Sequence, residues 1–83
     1  MTAIILWRLN APGVEPIAGM TELLEQDTFP VSAAVRAIEK RFDLHVESLA
    51  SLSHVGTRRR YRVKLRAGRK VSRGALLTVE RAG

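Results

Sequence analysis

The sequence predicts a small single α+β domain in which two short helices are followed by a basic antiparallel β-hairpin or sheet. The chain has 83 residues, enough for one domain over 1–83. Apolar residues recur at helical spacing in two segments, 17–26 and 31–42. Farther along, apolar and basic residues alternate over 60–67, which is the period of a strand. A ferredoxin-like fold or another α/β sandwich is the alternative arrangement of these elements.

Both helices are predicted from apolar residues three or four positions apart. In the first helix these residues are Ile17, Met20, Leu23 and Leu24, and in the second they are Val31, Ala34, Val35, Ile38 and Phe42. Gly19 weakens the first prediction, since glycine inside a helix costs roughly 1 kcal/mol. Pro30 supports the second, because its missing N–H breaks no hydrogen bond in the first turn of a helix.

The second half of the chain is predicted to be an antiparallel sheet. Apolar and polar residues alternate over 44–55, but the alternation is lost over 49–52, which indicates a strand with a bulge. Gly56-Thr57 is expected to turn the chain into the strand 60–67. After that strand, 69–73 is predicted to be a basic loop and 75–80 a short last strand.

Charge is distributed unevenly along the chain. Residues 1–57 carry a net charge of −3, whereas residues 58–83 carry +9. A solubilising surface usually mixes both signs, so this asymmetry indicates a face for an anionic partner. Within 58–73, arginines outnumber lysines seven to two. Because the guanidinium group binds phosphate and guanine edges bidentately, nucleic acid is the expected partner.

The predicted nucleic-acid contacts on this basic segment come from a strand, a turn and a loop. The strand supplies Arg60, Arg62, Lys64 and Arg66, the turn supplies Thr57, Arg58 and Arg59, and the loop supplies Arg69, Lys70 and Arg73. Side chains of a strand alternate between its two faces, so Tyr61, Val63 and Leu65 are predicted to face the core. Like charges on one strand face destabilise it, and an anionic partner would offset that cost.

Two stretches of the chain carry a family resemblance. The second helix opens with Pro30-Val31-Ser32-Ala33-Ala34-Val35-Arg36, and the hairpin contains Gly56-Thr57-Arg58-Arg59-Arg60-Tyr61-Arg62-Val63. Over about residues 17–65 this pattern resembles the winged helix-turn-helix DNA-binding superfamily. The resemblance implies that helix 31–42 enters the major groove with Ser32, Arg36 and Lys40 facing DNA. It also implies that hairpin 54–66 is the wing, and that the protein is a transcriptional regulator binding DNA rather than RNA.

Catalysis, cofactors and metals are not expected. The chain has no cysteine, and neither His45 nor His54 belongs to a recognisable metal or catalytic motif. No catalytic residue, small-molecule substrate or membrane span is predicted, and the protein is interpreted as cytoplasmic. Its apolar run near the start, 3–7, is far too short for a signal peptide or a membrane helix.

Two other functions and one feature of assembly are left open by the sequence. The first alternative is an α+β module that binds RNA or DNA on a basic sheet face. The second is an interaction or inhibitor module that docks on an acidic protein. Segment 3–9 distinguishes the folds, because a strand paired within the sheet disfavours the winged helix. Small size also suggests a homodimer, with segment 3–9 or the last strand as the interface.

Overall fold

A computed structural model of the protein describes residues 3–82. The elements, in chain order, are β1 (Ile4–Asn10), β2 (Ile17–Glu22), α1 (Pro30–Phe42), β3 (His45–Val55), β4 (Arg58–Ala67) and β5 (Lys70–Ala82). The five strands form one sheet in the order β2-β1-β5-β4-β3, and every neighbouring pair is antiparallel. The strand that comes last in the chain therefore lies in the middle of the sheet.

The core lies between one face of this sheet and α1. Alternate residues of the three inner strands are buried on that face: Ile5, Trp7 and Leu9 of β1, Val63 and Leu65 of β4, and Ala75, Leu77 and Val79 of β5. The helix contributes Val31, Ala33, Ala34 and Ile38. We call this the helix side of the sheet. Within residues 3–82 no element covers the opposite side, which we call the open face.

The helix predicted over 17–26 is wrong, because this segment contains β2. Ile17, Gly19 and Thr21 pair with β1 residues whose side chains point to the helix side. Met20 points to the open face and is 73% exposed, so the apolar residues of this segment do not form one buried stripe. Because Gly19 also disfavours a helix, the conformation of segment 17–22 is determined by its pairing with β1.

The predicted fold class is wrong, since the domain is mostly β, with 59% of the described residues in strands and 16% in one helix. A helix-turn-helix requires two helices, and residues 3–82 contain α1 alone. Segment 3–9 is a strand between β2 and β5. Along its length β1 has a strand on each side and so no free edge, whereas residues 70–75 of β5 pair with β4 alone. The homodimer stays a prediction.

The two hairpins that flank β4 have two-residue turns. Gly56-Thr57 joins Val55 to Arg58, as the sequence predicts, and Gly68-Arg69 joins β4 to β5. Both glycines have positive φ, 59° and 62°, the conformation that the first position of such a turn requires. The bulge expected in β3 is confirmed by the register shift at Ser51/Ser53, and a second shift, at Val46/Ser48, was not predicted.

The predicted loop 69–73 is largely strand. The element β5 begins at Lys70 and is interrupted only by a register shift opposite Val63/Leu65. Gly74, with φ of 81°, lies at this irregularity. A glycine at such a bulge accepts the positive φ without steric cost, so the strand continues through it instead of ending there.

The helix α1 spans 13 residues and ends at Phe42, and the next residue, Asp43, adopts a left-handed conformation. Across the described part of the chain, no helix has the length and apolar character needed to cross a membrane.

Candidate nucleic-acid interface

Five cationic side chains lie in line along the open face of β4. They are Arg58, Arg60, Arg62, Lys64 and Arg66, which we call the cation row, and they alternate with the helix-side residues of the same strand. Alternate residues of an antiparallel strand are about 6.8 Å apart, so the row extends over about 27 Å. The prediction that the strand carries one basic and one apolar face is therefore confirmed.

A further cation on the open face, Arg8, was not predicted from the sequence. Arg8 is the cross-strand partner of Thr78, and Thr78 is in turn the partner of Arg60. Arg8 and Arg60 therefore flank the short Thr78 side chain from the two neighbouring strands. In the sequence, Arg8 lies between the apolar residues Trp7 and Leu9. This pattern places Arg8 on the opposite face only if segment 3–9 is a strand.

Two carboxylates pair with the cations at the ends of the cation row. Glu47 of β3 pairs with Lys64 at 3.3 Å and also with Arg66. The hydrogen bond from Arg66 is the main reason that the pKa of Glu47 is lowered, with a smaller contribution from Lys64 and an opposing one from desolvation. At the other end, Arg58 and Glu80 form an exposed pair at 3.4 Å.

The centre of the open face has no such neutralisation. Arg8, Arg60 and Arg62 form no ion pair with any carboxylate in residues 3–82. All three are solvent-exposed. Exposed guanidinium groups that have no carboxylate partner are available to an external anion, and they can bind a phosphate bidentately.

A shallow depression of about 730 Å³ adjoins this centre. Its cationic border is formed by Arg8, Arg58 and Arg60, with Thr78 and Glu80 between them. Leu6 and Met20 form an apolar part, and these two residues are direct cross-strand partners on β1 and β2. Cationic and apolar surfaces therefore meet within one concave site.

The helix residues predicted to face DNA lie apart from the cation row. Ser32, Arg36 and Lys40 are on α1, which packs on the helix side of the sheet. The helix residues and the cation row therefore lie on opposite sides of the sheet.

Arg36 takes part in a polar cluster at the helix. Its guanidinium pairs with the Asp27 carboxylate at 3.0 Å and donates a hydrogen bond to the Glu22 carbonyl oxygen. Asp27 also accepts a hydrogen bond from the Leu24 amide. The Arg36 hydrogen bond, followed by that of Leu24, lowers the pKa of Asp27 against the opposing effect of desolvation. This cluster ties the segment after β2 to the helix.

The remaining predicted contacts are divided among several places. Arg59 is a strand residue rather than a turn residue, and its pairing with Val79 places it on the helix side. Thr57 lies in the turn at one end of β4, and Arg69 lies in the turn at the other end. Lys70 and Arg73 belong to β5, both exposed. The structure therefore brings together the five cations of the row and Arg8, and separates them from Arg59.

No set of three or more His, Asp or Glu side chains in residues 3–82 is placed to hold a metal ion. Comparison of the chain with protein-family models, with curated protein sequences and with solved structures finds no match. The site itself is therefore the basis for any functional inference.

Proposed function

We propose that this protein binds nucleic acid through the open face of its sheet, mainly by contacts with phosphate groups. The observation that supports the proposal is the alignment of the cation row with Arg8 on a face that no described element covers. The proposal does not involve α1, and it applies to DNA and RNA alike.

The arrangement has a cost that an anionic ligand would offset. Neighbouring like charges on one strand face are destabilising, and only the ends of the cation row are paired with carboxylates. Each phosphate that the row neutralises releases condensed counterions, which favours binding and makes the affinity depend steeply on salt. Contacts in a straight row suit a repeating backbone better than the edge of one base pair.

The spacing of the row supports the same ligand. Successive side chains of the row are about 6.8 Å apart, close to the separation of successive phosphates in an extended strand. Arg60 and Arg62 occupy the centre of the row and have no carboxylate partner in the described chain. These two residues are therefore expected to contribute most to affinity.

The strand itself offers a matched control, because Arg59 is adjacent in sequence to Arg60 but lies on the helix side. We would compare Arg60→Ala/Arg62→Ala with Arg59→Ala/Lys40→Ala by fluorescence anisotropy with labelled nucleic acid over a range of salt concentrations. Both double variants lose two positive charges. The open-face variant is expected to lose roughly tenfold or more in affinity and to show a salt slope lower by about 2, one per phosphate contact.

The control variant is expected to remain close to the wild type. Equal losses in both double variants would mean that net charge, not the open face, determines binding, and the proposal would then be wrong. Failure of the wild type to bind single strand, duplex or structured RNA at low salt would also overturn it. Circular dichroism establishes that both variants are folded.

A further inference from the structure

We infer that the depression beside the cation row is a nucleobase-binding subsite, so that the preferred ligand is single-stranded nucleic acid. This inference rests on the proposed function and adds the class of nucleic acid to it. It depends on the side chains that meet in the depression and on their order across four strands.

Cross-strand pairing fixes that order. One line across the open face runs Met20, Leu6, Glu80, Arg58, and the next line runs Ala18, Arg8, Thr78, Arg60. The side chains on β2 and β1 in the first line are apolar, whereas those on β4 are cationic in both lines. Adjacent strands are about 4.8 Å apart, so Met20 and Arg58 are separated by about 14 Å.

The apolar end of the depression is exposed to solvent. Leu6 is 37% exposed and Met20 is 73% exposed. Exposed apolar side chains that adjoin a charged site are a feature of ligand-binding surfaces. Methionine is also adaptable in shape, which suits contact with a flat ring.

The distance across the depression fits one nucleotide. A phosphate held by the cation row leaves its sugar and base to extend across β5 toward Leu6 and Met20. There the face of the base can lose contact with water against apolar side chains. The guanidinium planes of Arg8 and Arg60, one on each side of Thr78, offer further stacking surface. Among the described residues that line the depression, Trp7 is the one aromatic residue, and its ring packs on the helix side, away from the depression.

Only an unpaired base can make this contact. In a duplex the faces of the bases are stacked on one another and their pairing edges are occupied, so a sheet surface meets backbone and groove instead. A single strand allows its bases to turn toward the protein while a cationic surface tracks the phosphates. The depression therefore favours single-stranded over duplex ligand.

Glu80 makes the two ends of the depression chemically different. Its carboxylate lies between Leu6 and Arg58 and repels phosphate from the apolar end. The same carboxylate accepts hydrogen bonds, and among the bases cytosine, adenine and guanine carry amino groups that donate them. Thymine and uracil have no amino group, so we expect bases with an amino group to be preferred.

The test compares three ligands of equal length by fluorescence anisotropy: oligo(dC), an abasic deoxyribose-phosphate oligomer and a mixed-sequence duplex. Base contact is expected to make oligo(dC) bind roughly fivefold or more tightly than the abasic oligomer. In Leu6→Thr/Met20→Thr this preference should fall toward one, while affinity for the abasic oligomer stays unchanged. The matched control is Leu52→Thr, which changes an exposed leucine on β3 outside the depression.

A second variant keeps the inference testable if the double substitution unfolds the protein. Glu80→Ala removes both acceptor oxygens of the carboxylate, and it should reduce the preference for oligo(dC) over oligo(dT) whatever its effect on total affinity. An unchanged preference would contradict the role given to Glu80.

The outcomes separate this inference from the proposed function. If the wild type binds oligo(dC), the abasic oligomer and the duplex with equal affinity, the subsite is disproved and phosphate binding stands. The same conclusion follows if Leu6→Thr/Met20→Thr and Leu52→Thr behave alike. If the wild type binds none of the three ligands at low salt, the proposed function fails as well.

Discussion

The indole ring of Trp7 lies directly over Gly19, its cross-strand partner on β2. A Cβ atom at position 19 would come within 2.4 Å of Cζ2 of Trp7. The ring cannot easily move away, because it is buried and packs edge-to-face on Phe42 with ring centroids 6.5 Å apart. Glycine is therefore required at position 19 by the space that the indole occupies.

We predict that Gly19→Ala lowers the free energy of unfolding by about 1–3 kcal/mol, the usual cost of overpacking a core. Urea denaturation measures this change. The same substitution in a Trp7→Phe background should cost less, because the smaller ring leaves room for the methyl group. Trp7→Phe also removes a buried indole N–H that has no hydrogen-bond partner within residues 3–82. Equal costs in the two backgrounds would show that the ring is not the cause.

The pair Asp27–Arg36 predicts a pH dependence of stability. Because the folded-state pKa of Asp27 is lowered by the Arg36 hydrogen bond, the unfolded chain takes up the proton more readily than the folded one. The stabilisation is fully present above the ordinary pKa of an aspartate, about 3.9, and it disappears as the pH falls through the lowered pKa.

Asp27→Asn should therefore be less stable than the wild type near neutral pH, and this difference should shrink as the solution is acidified. Urea denaturation at a series of pH values measures it. Glu25→Gln is the control, because Glu25 is exposed and forms no ion pair in the described chain. A difference between Asp27→Asn and the wild type that stays constant down to acidic pH would contradict the prediction.

We predict that replacing Glu47 has opposite effects on stability and on nucleic-acid binding. Its carboxylate bridges Lys64 and Arg66 in the cation row, so Glu47→Gln increases repulsion within the row and lowers the free energy of unfolding. The same change frees two cations for phosphate. We expect affinity for nucleic acid at low salt to rise by roughly twofold or more, with a salt slope steeper by about 1.

Thermal denaturation and anisotropy on the same samples test both effects of Glu47→Gln. Glu15→Gln removes an equal charge from an exposed loop and serves as the control for net charge. If Glu47→Gln loses stability and also binds nucleic acid more weakly, the Glu47 carboxylate does not compete with phosphate for Lys64 and Arg66.

The elements that were predictable from the sequence are those whose pattern is determined locally. The strand 60–67 is recognisable because every second residue is basic, and α1 is recognisable because its apolar stripe is long. Their amphipathic faces are fixed by residues within each element. Prediction needed no knowledge of the rest of the chain.

The elements that were missed depend on pairing between distant segments. The strand β2 is six residues long and contains a glycine, so its conformation is decided by β1 and by the space that Trp7 requires. The role of Arg36 depends on Asp27, nine residues earlier. Arg8 joins the cationic surface only through its registry with Thr78, seventy positions away. Sequence patterns within one segment cannot contain these relationships.

The central position of β5 has a consequence for biosynthesis. During translation β1 and β2 leave the ribosome first and β3 and β4 follow, yet β5 is the strand that pairs with both β1 and β4. A nascent chain that lacks β5 holds two separate two-stranded ribbons, which are marginally stable in water. The sheet is therefore expected to assemble in one late step, when β5 emerges and joins the two halves.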